Sequence, residues 1–97
     1  MIKHIVLFDF KEENRAENID QAKEMLEGLM GKVSTLKSME VGINFSDEAR
    51  AMDLSIITEF DTREDLEAYA VHPEHLKVVE FIKGVVNSSK VSDNDLG

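Results

Sequence analysis

The chain has 97 residues and a formal net charge of −9, enough for one domain with a modest core that association would help to cover. Such acidity repels phosphate backbones and anionic lipid surfaces, so neither nucleic acid nor a membrane is an expected partner. There is no cysteine, which removes disulfides, thiolate nucleophiles and zinc–thiolate centres. The N-terminal apolar run, Ile5 to Phe8, is too short for a leader or a span, and a cytoplasmic location is expected.

The first predicted element is a strand over "IKHIVLFDF", Ile2 to Phe10, rich in β-branched and aromatic residues. Ile2, His4, Val6, Phe8 and Phe10 share one face; Lys3, Ile5, Leu7 and Asp9 share the other. "KEENRAEN", Lys11 to Asn18, reads as a polar connection. From Ile19 the apolar spacing turns helical through Ala22, Leu26, Leu29, Met30 and Val33, with Asn18 as N-cap and Gln21 at the capping-box position. Lys37 to Phe45 and Ala51 to Phe60 both alternate. The short connection between them predicts an antiparallel hairpin.

Asp61 and Glu64 form a capping-box pattern ahead of a helix from about Thr62 to Ala70. Pro73 interrupts it and opens a second segment, with His72 as cap and Gly84 as the stop after Lys83. Val85 to Val91 reads as a short last strand and "SDNDLG" as a frayed tail. A domain over residues 1–93 and a disordered tail over 94–97 are expected. The order strand, helix, strand, strand, helix, strand is the α+β, ferredoxin-like βαββαβ pattern, a four-stranded antiparallel sheet with helices on one face. Ile5, Leu7, Ala51 and Ile57 cluster on the opposite face, which predicts a homodimer with sheets packed face to face.

The segment "YAVHPEHLKVVEFIKG" holds the only tyrosine, the only proline and two of the three histidines. At about 100° per residue, His75 falls at the centre of an arc with Val78, Val79 and Ile82. Tyr69 lies on the inward stripe of the preceding helix, and His4 sits among Ile2, Val6 and Phe8. Three inward polar side chains require hydrogen-bond partners, which they find in one another or in a ligand. His75 is also in a first helical turn, where the positive end of the dipole disfavours imidazolium. A neutral imidazole there can take a proton, and a phenol such as Tyr69 can donate to a developing oxyanion. HPEH is not the HExxH zinc motif, no Gly-rich phosphate loop is present, and Ser88–Ser89 lacks a nucleophile's setting, so no metal and no cofactor is expected.

"IKHIVLFDFK" and "YAVHPEHLKVVEFIK" together resemble the stress-responsive dimeric α/β-barrel (Dabb) family over essentially residues 1 to 93. The resemblance implies a dimeric α/β barrel. In a plant polyketide cyclase of that family, which needs no cofactor, the pocket uses a strand-one histidine and the Tyr and second His of the Y-x-x-HP-x-H segment. His4, Tyr69 and His75 match these, while a further helix-one tyrosine falls at about Leu26. His75, Tyr69 and His4 are thus the expected catalytic groups, and His72, Leu26, Val79 and Phe8 the expected ligand-binding ones. The expected function is binding of a small apolar or aromatic carbonyl compound, with cofactor-free cyclase- or lyase-type chemistry. The alternative is a non-enzymatic, stress-related homodimeric module in which the histidines are structural.

Overall fold

The computed structural model describes all 97 residues. In chain order the elements are β1 (Ile2–Phe10), α1 (Arg15–Glu27), β2 (Ser38–Ile43), β3 (Leu54–Phe60), α2 (Arg63–Ala70), α3 (Pro73–Val85) and β4 (Val86–Asp95). The strands form one sheet in the order β2-β3-β1-β4, with every neighbouring pair antiparallel. This is the expected ferredoxin-like βαββαβ arrangement, its second helical unit broken at Pro73 into α2 and α3.

Along β3, Leu54, Ile56, Thr58 and Phe60 are buried while Ser55, Ile57 and Glu59 are not. The period of two therefore separates a helix-covered face from an open one. Phe10 and Phe60 are wholly buried, each worth about 1.5–3 kcal/mol of apolar burial. Above them pack Ile19, Ala22 and Leu26 of α1 with Leu29, Val33 and Leu36 that follow it. Thr58 is the one buried polar residue; its hydroxyl donates to the His4 carbonyl at 3.3 Å. On the open face Ile5 stands directly opposite Ile57, and Leu7 opposite Ser55.

Several boundaries differ from the sequence reading. α1 starts at Arg15, not at Ile19, and Asn18 lies inside it, donating its backbone N–H to Asn14. The cause is tertiary. The Arg15 guanidinium donates to the Phe10 carbonyl at 2.6 Å and lies near Asp53, which pins the first turn to the end of β1. Asn14 makes the turn at φ 53°, a left-handed conformation that asparagine tolerates. β3 starts at Leu54 rather than Ala51, because the Asp53 carboxylate turns to accept the Phe10 N–H at 2.7 Å. Ala51 is accordingly a loop residue, not part of the open sheet face. The α2 cap is Thr62, whose hydroxyl accepts from the Asp65 N–H, while Asp61 pairs with Lys37.

Gly84 does not end α3, which continues to Val85. Lys11 meets the freed carbonyls there, its ammonium reaching Gly84 and its backbone N–H reaching Val85. β4 is longer than expected. Its polar sequence is a poor strand former, but it pairs with β1 from Phe10↔Val86 to Ile2↔Asp95. A complete ladder outweighs local propensity.

Candidate functional site

Tyr69 is placed by the end of α2. Its ring is buried, 5.1 Å from the Phe60 ring and 4.2 Å from the His75 imidazole, centroid to centroid. Burial pushes its hydroxyl pKa up to about 12, so the phenol keeps its proton across the neutral range. No protein group hydrogen-bonds to that hydroxyl, and it is not among the occluded, unpartnered atoms of the chain. It therefore opens on the space described below.

His75 stands in the first turn of α3, where Pro73 fixes the helix start and His72 caps it. Its Nδ1 lies 3.0 Å from the Ala70 carbonyl. A carbonyl only accepts, so Nδ1 carries the hydrogen and Nε2 keeps the lone pair in the neutral ring. Burial lowers the His75 pKa, partly offset by the bond to Ala70, and the charges of His4 and His72 lower it further. The result is a neutral imidazole with one acceptor nitrogen available to a ligand.

His75 is not at the centre of the buried arc of α3, as the helical spacing implied. The buried positions are Val78 and Ile82; His75 is half-buried and Val79 is 39% exposed. The helix is rotated so that His75 and Val79 stand at the margin of the core, beside a cavity rather than under it.

His4 enters from β1. Its Nδ1 is bonded to the Asp93 carboxylate, directly across the β1–β4 ladder. Carboxylates accept, so again Nδ1 is the protonated nitrogen and Nε2 is left over. Asp93 escaped the sequence analysis because it falls where a frayed tail was expected. Only the register of β4 brings it to His4.

These groups meet at a cavity of about 380 Å³ between the sheet and the helices. His4, Phe8, Leu26, Tyr69, His75 and Val79 all line it, joined by Val6, Ile56, Val78 and Ile82. Val6 was legible from its parity with His4 and Phe8, and Ile82 from its helical spacing. Lys83, Asn87, Ser88 and Ser89 line the remaining end. His72 does not line the cavity: its Nδ1 accepts the Glu74 N–H at 3.1 Å and so caps α3. His4 also faces a second, more polar cleft of about 510 Å³ with Arg63, Glu67 and Asp93. No three His or carboxylate groups come together as a metal ligand set would require. The arrangement offers a mainly apolar chamber with two imidazole acceptors and one phenol donor at one end. No helix of the chain is long and apolar enough to cross a membrane.

The fold recurs in solved structures. A dimeric protein of unknown function and ferredoxin-like fold from Bacteroides fragilis is 29% identical, with a TM-score of 0.88 over 98% of this chain and 95% of that one. The hydroxynitrile lyase of Passiflora edulis is 17% identical, with a TM-score of 0.87 over 99% of this chain and 93% of that one. An antibiotic biosynthesis monooxygenase is 19% identical, with a TM-score of 0.72 over 100% of this chain and 99% of that one. The last two are alike in fold alone. No curated protein matches the sequence. The model of the stress responsive A/B barrel domain family matches residues 2–95, nearly the whole of the fold that carries the cavity, and the chain belongs to that family.

Proposed function

We propose that this protein is a homodimer whose subunits each bind a small apolar or aromatic carbonyl compound in the cavity and act on it without a cofactor. One observation carries the reading. His4, Tyr69 and His75 converge at one end of the chamber, and the Tyr69 hydroxyl has no partner within the chain. A buried phenol without an acceptor costs free energy unless water or a ligand supplies one.

The chemistry follows from the protonation states. His75, held neutral by burial, takes a proton at Nε2 from the carbon beside a carbonyl or from a hydroxyl. The electron pair of that bond moves toward the oxygen, where Tyr69 donates a hydrogen bond to the growing negative charge. His4, oriented by Asp93, supplies a second acceptor nitrogen at the same end. Ring closure and carbon–carbon cleavage both pass through such a step. That a lyase is built on this fold supports the reading as analogy.

The dimer is proposed to form through the open sheet face, where Ile5, Leu7 and Ile57 cluster beside polar residues. The dimeric Bacteroides fragilis structure supports it. A thermal-shift screen of aryl and alkyl carbonyl compounds on the wild type and on His75→Ala tests the site. Compounds that stabilise the wild type and not the variant are the expected result. A screen in which no compound separates the two proteins removes the reading.

The second reading, a non-enzymatic homodimeric binding or structural module of the stress-responsive family, is favoured by one further observation. Each histidine already has a structural partner: His4 has Asp93, His72 has the Glu74 N–H, and His75 has the Ala70 carbonyl. It requires that His4, His72 and His75 single variants all lose stability and that no carbonyl compound raises the wild-type melting temperature.

A further inference from the structure

The cavity has two chemically different ends. At one are His4, Tyr69 and His75; at the other are Lys83 and Ser89. The α3 residues His75 and Lys83 are eight positions apart, about 12 Å along a helix at 1.5 Å per residue. The lining between them is apolar: Val6, Val79, Ile82 and others. On the sheet side, Ser89 lies opposite Phe8, four residues along β1 from His4, so strand and helix agree on which end is which.

Lys83 is chemically idle in the chain itself. Exposed at the cavity's edge, it makes no ion pair; Lys3, Lys11, Lys32 and Lys90 make none either, but among the lysines and arginines Lys83 alone lines the cavity. Support of the α3 C-terminus does not account for it either, because Lys11 already reaches the Gly84 and Val85 carbonyls. Asp9, the carboxylate of β1 near this end, lies on the open face and accepts from the Asn87 amide. The Ser89 hydroxyl also has no hydrogen-bond partner. In a chain of net charge −9, an unpaired ammonium at the end of an apolar chamber is the local feature that fits an anion.

We propose that the ligand is an amphiphilic monocarboxylate: an acyl or aryl-alkyl chain with a carbonyl at the His75 end and a carboxylate held by Lys83 and Ser89. This rests on the small-molecule reading above and adds the polarity and orientation of the ligand. Lys83 is then a specificity-determining residue, not a catalytic one. The carboxylate end sets affinity and register, and so decides which carbon comes under His75.

Two probes separate the claims. 9-Oxodecanoate carries a methyl ketone and a carboxylate at opposite ends of a ten-carbon chain; 2-decanone has the ketone without the acid. Binding is followed by calorimetry and by the His75 imidazole NMR signals, in the wild type, Lys83→Met, Lys83→Arg and Lys32→Met. Lys32 is exposed beyond the end of α1 and lines neither the cavity nor the open sheet face, so its variant removes the same charge elsewhere. The expected result is tighter binding of the keto acid than of the ketone. Lys83→Met should weaken the keto acid by about tenfold, the scale of one charged contact. Lys83→Arg should restore most of it, and Lys32→Met should leave it unchanged. Affinity for the keto acid should also fall as salt rises. If both probes shift the His75 signals but bind equally, or if Lys32→Met matches Lys83→Met, the carboxylate site is overturned and the chamber stands. If neither probe binds nor moves those signals, the small-molecule reading falls and this inference falls with it.

Discussion

The two sides of the helical layer are built differently. Under α1, above β2 and β3, the space is filled: Ile19, Ala22, Leu26, Leu29, Val33 and Leu36 are all buried. Beside α3, above β1 and β4, it is not. β4 turns Ser89, Val91 and Asp93 toward the helices, and every residue from Asn87 to Asp93 is exposed. Small and polar side chains on an edge strand cannot fill the gap left by α3, and the cavity is the result. One side supplies the frame; the other leaves room for chemistry without disturbing that frame.

The sharpest way to break this division is on its filled side. Phe60→Ala should cost about 3–5 kcal/mol, as expected for truncating a wholly buried aromatic. Urea unfolding measures it. Val79→Ala on the cavity margin should cost less than about 1 kcal/mol, since that residue is 39% exposed. Equal losses at the two positions would erase the distinction.

His72→Ala should cost about 1 kcal/mol through loss of the α3 cap, while leaving ligand affinity unchanged because His72 does not line the cavity. Asp93→Asn should cost less than about 1 kcal/mol, the pair being partly exposed, yet should alter the His4 Nδ1 proton signal in NMR. A merely structural surface pair would not couple that signal to carbonyl ligand binding, whereas the proposed site would.

The pH dependence probes the same margin. The His75 pKa in the fold lies below its ordinary 6.5, so the unfolded chain takes up the proton first as pH falls. The stability contributed by the neutral ring is complete above 6.5, and it is lost as pH drops from there toward the folded value. The difference in unfolding free energy between the wild type and His75→Gln should therefore shrink on going from pH 7.5 to 5.5. A difference independent of pH would mean that His75 is not shielded as described. The smallest effect is Tyr69→Phe, at less than about 0.5 kcal/mol, because the hydroxyl makes no bond within the chain. Its consequence should appear instead in the affinity for carbonyl ligands.

Much of this was legible in the residues, and the exceptions have a common cause. His4, Tyr69 and His75 could be grouped from strand parity and helical spacing. His72 could be read as a cap from Pro73 alone. Lys83 lies on the helix already read, but nothing local distinguishes an idle ammonium from one that is paired. Asp93 was out of reach, since its neighbours read as a tail and its importance comes from a partner 89 positions away. The early start of α1 depends likewise on Arg15 meeting Phe10 and Asp53.

The sequence by itself determined the order of elements, the face of each strand and the capped start of α3, because these follow from dihedral preferences and periodicities within a few residues. Tertiary structure alone decided where β4 ends, which carboxylate holds His4, how far α3 is rotated and that a cavity exists. Those properties are set by ladders and packing between distant segments, where the free energy of a complete hydrogen-bond register outweighs the weak local preferences of a polar chain.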